Sequence, residues 1–425
     1  MIKLKQYRIK IKWVISYFLL TCLFFSGTLV LTYSDRCNLN SGKNTQHSKE
    51  SDIRPSDWTH AGEPVVWSVS FSSDGKYMAT GDDYGNVYLF GTSDSNPIWH
   101  YKAEASIYQV KISSDGQYIL AGGAQEGTSP NLFLFDRASS TPLWNDTLGH
   151  IMTVDISADG QYIIATADSD VYLFNKTSSS PMWTYHASIT SGFESIVISS
   201  DGYYIAAGSY DGILYYFEKD TPTPFWTFDA QGVIWSVSIS SNGDYVTMGS
   251  KNGKVYLFDN LGFVWNYTTG ASVESVSITP DGNYIVAGSN NHKVYFFTRS
   301  DSTPLWSFTA SDTIGSVAIS SNGKFIVAGS EDAKVFLFNK DNSNPLWTYG
   351  TWEADIFNWV RTVAISSDGR YIAAGSGNGN VYLFDRTFIP VLQTIIITSV
   401  IAGVAIITIT VYLIVRRIRK KRKLS

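Results

Sequence analysis

Between residues 58 and 385 the chain alternates short apolar runs with small polar clusters, and the alternation returns at a nearly constant interval. Each unit opens on a segment in which every second residue is large and apolar, such as Ser236-Val237-Ser238-Ile239-Ser240. A turn pair, Asp-Gly or Asn-Gly, follows it. These pairs begin at Asp74, Asp115, Asp159, Asp201, Asn242, Asp281, Asn322 and Asp368, spaced by 41, 44, 42, 41, 39, 41 and 46 residues. After the turn come a run like Tyr203-Tyr204-Ile205-Ala206-Ala207-Gly208-Ser209, a run like Val255-Tyr256-Leu257-Phe258, and a closing Pro-Leu-Trp-Thr-Tyr-like segment. Short β-rich runs bounded by Gly, Asn, Asp and Ser predict four antiparallel strands joined by tight turns. Four strands per ~40 residues make a propeller blade, so eight turns predict an all-β, eight-bladed propeller.

Position by position the pattern assigns roles. Five and three residues before each turn stand Val or Ile (Val69, Val110, Val154 and their counterparts) and Ile or Phe (Phe71, Ile112, Ile156 and theirs), which share one face of the first strand. They are expected to pack between blades. Small Ser, Ala and Thr occupy the opposite parity, where a neighbouring blade must approach closely. The Trp of the fourth segment occurs seven times, at Trp99, Trp144, Trp183, Trp226, Trp265, Trp306 and Trp347, one fewer than the turns. The missing copy is matched by Ser56-Asp57-Trp58-Thr59-His60 ahead of the first unit. Residues 58–61 are therefore expected to supply the outer strand of the last blade, which closes the ring and removes an open edge.

Function is expected where the repeat breaks. Seven residues before each turn, the positions read Trp67, Tyr108, Met152, Glu194, Trp235, Glu274, Gly315 and Arg361 and do not repeat. Residues 124–130 and 351–359 are irregular in length, the second carrying Trp352, Phe357 and Trp359 beside Glu353 and Asp355. All of these are expected on the top face, where the innermost strands begin. Trp67, Tyr108, Glu194, Trp235, Glu274, Arg361, Trp352, Phe357 and Trp359 are the candidate binding residues there, aromatics being frequent recognition anchors.

The two ends have another character. Residues 13–33 are uncharged behind a basic segment, and 388–415 are uncharged and rich in Ile and Val before Arg416, Arg417, Arg419 and further cations. Each is long enough to span a bilayer core of ~30 Å at ~1.5 Å per residue. The expected order is a basic cytoplasmic tail (1–12), a membrane helix acting as signal anchor or signal peptide (13–33), a flexible linker (34–55), the propeller (56–387), a membrane helix (388–415) and a second basic tail (416–425). The positive-inside rule puts both basic ends in the cytoplasm and the propeller outside the cell membrane. Because 388–415 follows the third strand of the last blade, the bottom face is expected to lie against the lipid bilayer.

Charge and cysteine content narrow the partners. The two ends hold 12 of the 32 basic residues and no acid, so the middle sets 20 cations against 37 acids, a net of −17. Such a surface repels phosphate backbones, and nucleic acid is excluded as an expected partner. Cys22 and Cys37 are the two cysteines, too few for a disulfide framework or a zinc site. Sequons at Asn145, Asn175 and Asn266 are possible glycosylation sites compatible with an external location. The six His residues do not recur at one repeat position, and no nucleotide-binding loop, serine-nucleophile elbow or zinc-protease motif occurs.

Through Ser-Val-x-Ile-Ser-Ser-Asp-Gly followed by Tyr-Ile-Ala-Ala-Gly-Ser, residues 62–385 resemble WD-repeat propellers. The Trp-Asp that ends a WD unit is replaced by Leu-Phe-Asp or Leu-Phe-Asn, as at Phe258-Asp259 and Phe338-Asn339, and Gly-His appears once, at Gly149-His150. The segment from Asn252 to Asp259, running on to Trp265, looks like repeats of quinoprotein-type propellers. The expected function is non-catalytic and cofactor-free: a binding or scaffolding module for a protein, peptide or glycan. A structural subunit of a surface or membrane complex and a quinoprotein-like redox enzyme are the alternatives.

Overall fold

The computed structural model describes residues 58–61, 65–124, 128–189, 191–351 and 359–387. The two expected membrane segments, the tails, the linker, and Trp352 and Phe357 lie outside the described residues. Among those described, no helix is long and apolar enough to cross a membrane.

The described chain forms eight four-stranded antiparallel sheets. Blade one comprises Val66–Phe71, Tyr77–Asp82, Asn86–Gly91 and Pro97–Lys102, from the channel outward. The other blades follow in chain order, with inner strands at Ser106–Ile112, Ile151–Ile156, Phe193–Ile198, Ile234–Ile239, Val273–Ile278, Ile314–Ile319 and Val360–Ile365. The inner strand of each blade runs from the top face to the bottom, where the Asp-Gly turn reverses it. At these turns the eight glycines from Gly75 to Gly369 hold φ between +67° and +77°, a region that penalises any Cβ. In the first turn Ser72 Oγ accepts from Tyr77 N–H (3.1 Å) and donates to Asp74 Oδ1 (2.8 Å), so the short polar side chains fold the turn around themselves.

The ring closes as the missing Trp segment implied. Residues Trp58–Ala61 pair antiparallel with Asn380–Asp385 of blade eight, Trp58 opposite Leu383 and Ala61 opposite Asn380. Four residues from one end of the domain thereby complete a sheet begun more than 300 residues later. The entropy of closing so long a loop is roughly 5 kcal/mol by the logarithmic rule. Backbone hydrogen bonds at ~1 kcal/mol each and the apolar area covered by a fourth strand oppose it.

Three devices join neighbouring blades. The Val or Ile five residues before the turn packs on the preceding blade: Val110 and Ile112, for example, share a core with Ala79, Leu89 and Val87 of blade one. The small polar residue six before the turn does more than allow close approach. Its side-chain oxygen accepts the free N–H of the next inner strand: Val110 N–H to Ser68 Oγ (3.1 Å), Val237 N–H to Ser195 Oγ (3.0 Å), Val276 N–H to Ser236 Oγ (3.1 Å) and Val363 N–H to Ser316 Oγ (3.1 Å). An inner strand is an edge strand, and these hydroxyls occupy donors that would otherwise invite another chain. The outer Trp supplies the third device. Trp99, Trp183 and Trp306 donate their indole N–H to the carbonyls of Arg137, Lys219 and Lys340 in the following blade, at 2.8, 2.6 and 2.7 Å. The Trp residues thus act as packing groups, as expected, and as inter-blade staples besides.

Candidate partner-binding face

Every inner strand carries one irregularity, always at the same place. The pairing with the second strand skips one residue between Val66 and Ser68, Ile107 and Gln109, Ile151 and Thr153, Phe193 and Ser195, Ile234 and Ser236, Val273 and Ser275, Ile314 and Ser316, and Val360 and Thr362. The residues passed over are Trp67, Tyr108, Met152, Glu194, Trp235, Glu274, Gly315 and Arg361. These are the eight non-repeating positions of the sequence. A bulge leaves its residue out of the ladder and re-aims the side chain, here at the top end of each inner strand. The position carries no packing duty common to the eight blades, and so its identity is free to vary.

Several of these side chains meet. The Arg361 guanidinium lies over the Trp67 ring at 4.4 Å, and Trp67 meets Tyr108 edge-on at 5.6 Å. Tyr108 in turn lies 5.6 Å from the His150 ring. Trp67 is pinned by its indole N–H to Asp83 Oδ1 (2.9 Å) in the turn between second and third strands. Asp82, beside it, is buried; burial raises its carboxyl above the usual range although Asn86 and Tyr84 donate to it. Across the ring, Trp235 donates to Ser272 Oγ (3.1 Å) and meets Tyr210 edge-on at 6.0 Å. Glu274 is half-buried on blade six. Trp359, also half-buried, precedes the inner strand of blade eight, and its carbonyl accepts the Gly377 N–H (2.9 Å).

The two aromatic groups flank a gap. Between blades three and four a cavity of about 440 Å³ opens on the top face, lined by His150, Met152, Asp168, Ser191, Gly192, Phe193, Glu194 and Tyr210. The local sequence explains why it is here. In the other seven blades the second strand carries a Gly, such as Gly81 or Gly288, whose added Cβ would meet the next inner strand: 2.5 Å from Ile107 Cγ2 and 2.6 Å from Ile314 Cγ2 in these two cases. Blade three has buried Thr166 at that place, and Phe193 stands where the neighbouring blades use Val or Ile. The turn after the second strand is also one residue shorter than in blade four: Ala167 pairs with Asp170 around two residues, while Ser209 and Ile213 enclose three. Asp168 takes a positive φ of 52° to make that turn, and its Oδ1 accepts the His150 N–H (3.3 Å). A Cβ at Gly149 would fall 1.9 Å from Asp168 Oδ2, so any other residue there would have to displace the Asp168 carboxylate. The single Gly-His of the sequence therefore serves this turn.

Glu194, on its bulge at the edge of the cavity, is half-buried, and burial raises its carboxyl above the usual carboxylate range. No described residue donates a hydrogen bond to it or pairs with it. The sequence marked Glu194 but missed Thr166, Asp168, Phe193 and Tyr210. The signals were the replacement of a repeat Gly by Thr and the loss of the turn Gly.

The central channel is a separate space of about 400 Å³, walled by the hydroxyls and short apolar residues of the inner strands. One ion pair crosses its wall, Lys111 to Asp155 at 3.3 Å, and Asp155 also accepts the Ile198 N–H (3.0 Å). Among the described residues no group of three or more His, Cys, Asp or Glu side chains is placed to hold a metal. Asn145 and Asn266 are exposed on outer strands, whereas Asn175 is half-buried and its Oδ1 accepts from Thr177 N–H and Oγ1.

Fold and repeats together define the class: an eight-bladed β-propeller that carries WD repeats. The family model described as WD domain, G-beta repeat matches residues 57–90, 144–175 and 179–218. A second model, described as outer membrane protein assembly factor BamB, matches residues 204–397. The resemblance to both kinds of repeat thus divides by region, WD-like in blades one, three and four and BamB-like from blade four onward. No curated protein matches the chain.

Proposed function

We propose that the chain is a membrane-anchored, extracytoplasmic β-propeller that acts as a non-catalytic binding or scaffolding module, holding a protein, peptide or glycan on its top face. One observation carries this reading: the eight bulges direct the non-repeating residues to a single face, while the repeating residues are consumed in the seams. The membrane orientation draws support from the end of blade eight, whose third strand finishes at Asp385, three residues before the uncharged run 388–415 begins. That strand ends on the bottom, which turns the top face away from the bilayer. The acidic balance of the middle favours a partner other than nucleic acid.

Affinity capture with the tagged, membrane-extracted full-length chain tests the reading. Trp67→Ala and Trp235→Ala are expected to lose the captured protein, peptide or glycan while the chain stays folded. Lower melting temperatures with unchanged capture would reduce both residues to core caps and remove the top-face site. A second reading, a structural subunit of a membrane complex, is favoured by the match to a family described as an assembly factor. It predicts a stoichiometric protein partner whose capture survives both substitutions. A quinone chromophore in the purified chain would replace both readings with a redox one.

A further inference from the structure

We propose that the crevice between blades three and four receives a lysine or arginine side chain of a polypeptide partner. This deepens the top-face reading and rests on it. The walls suit the aliphatic stem of such a residue. Phe193 is buried beside the cavity, Met152 is 36% exposed at its rim and Tyr210 is 42% exposed opposite. Long basic side chains lay their methylenes along apolar surface of this kind and keep the charged head for a polar partner.

The Glu194 carboxylate supplies that partner. It is partly withdrawn from water, it has no donor among the described residues, and burial raises its carboxyl above the usual carboxylate range. An incoming ammonium or guanidinium would replace the lost hydration with a charge-assisted hydrogen bond, the stronger class of such bonds. Asp168 adds a second acid at the opposite wall, held by its left-handed turn with one oxygen toward the His150 N–H. His150 is the sole cavity-lining residue able to carry positive charge. A glycan brings no cation to such a site, and an acidic peptide would be repelled. The flanking aromatics, Tyr108 with His150 on one side and Tyr210 with Trp235 on the other, offer surfaces to the residues before and after the basic one.

The crevice also differs in kind from the rest of the top face. Trp67 and Trp235 are already engaged by Asp83 and Ser272, and Arg361 is stacked on Trp67. Glu194 is left with its charge unused.

Ligand-observed NMR on the purified full-length chain tests this with three acetylated pentapeptides, Gly-Ala-X-Ala-Gly-amide, where X is Arg, Lys or norleucine. The Arg and Lys peptides are expected to bind saturably and the norleucine peptide at least tenfold more weakly. Glu194→Gln should weaken the basic peptides at least fivefold with an unchanged melting curve, and Tyr210→Ala, at a partly exposed ring, should weaken all three. Equal binding of the norleucine peptide, undiminished binding by Glu194→Gln, or no binding of any peptide would overturn the proposal. If it falls in one of these ways while Trp235→Ala still abolishes partner capture, the top-face reading stands without a basic ligand. If Trp67→Ala and Trp235→Ala leave capture intact, that reading falls by itself.

Discussion

The seam between blades six and seven and the seam between blades three and four are built from the same repeat and differ at one end. At the bottom they match. Trp306 donates to Lys340 O at 2.7 Å in the first and Trp183 to Lys219 O at 2.6 Å in the second. Higher up, the inner strands are linked alike, by Ser275 and Thr153 to the N–H groups of Val317 and Ile196. At the top they part. Gly288 lets Ile314 lie against the backbone of blade six, whereas blade three carries Thr166 at that place, blade four carries Phe193, and a cavity opens at the seam. A propeller can therefore join all its seams by shared contacts while the residues near the top differ from seam to seam. A rigid scaffold carrying an irregular rim is how repeat proteins separate stability from recognition.

The largest effect is expected from breaking the ring itself. Deleting residues 56–61 removes the fourth strand of blade eight and should lower the melting temperature of the full-length chain by roughly 5–10 °C, from the loss of several backbone hydrogen bonds and the cover they bring. An unchanged circular-dichroism melt would refute closure by Trp58–Ala61.

Exchanging the two seams comes next. Gly288→Thr puts a Cβ 2.6 Å from Ile314 Cγ2 and 2.9 Å from Ile314 O. Such overpacking should cost about 2–4 kcal/mol, read from denaturant unfolding. Thr166→Gly should cost about 1–2 kcal/mol through chain entropy and the lost methyl. Equal costs would mean that the width of the two seams does not differ.

The Trp staples give a smaller contrast. Trp306→Phe removes a bonded indole N–H and should cost about 1 kcal/mol, whereas Trp347, buried with no acceptor for Nε1 among the described residues, should tolerate Phe with little loss. A comparable loss at Trp347 would point to an acceptor outside them.

The smallest effect concerns pH. Burial raises the Glu194 pKa in the folded chain above the ordinary value of 4.5, so the folded state holds this proton more tightly than the unfolded state. Its contribution to stability is therefore fully present below 4.5 and is lost as pH rises through the folded value. His150, Asp168 and Tyr210 face the same cavity. Glu194→Gln should flatten this part of the stability curve, and an unaltered pH profile would show that the carboxyl is fully hydrated.

Much of the architecture was legible because a propeller repeats its instructions eight times. The turn glycines, the Val and Ile pair of the inner strand and the outer Trp recur, and a missing eighth Trp pointed to Trp58 before any pairing was known. The eight variable positions were legible too, as breaks in that recurrence. What they share was not. A bulge is a property of two strands in register, and nothing within Val66-Trp67-Ser68 states that Trp67 will be skipped when Val66 pairs with Asp82 and Ser68 with Gly81.

The sequence by itself therefore determined the blade count, the all-β fold and the closing strand, since periodic patterning specifies strands and their faces locally. Only the tertiary structure decided which serines bridge blades, that every variable residue sits on a bulge, and that a cavity opens on the top face between blades three and four. Those features depend on groups some 40 residues apart meeting across a sheet face, as Ser195 Oγ and the Val237 N–H do.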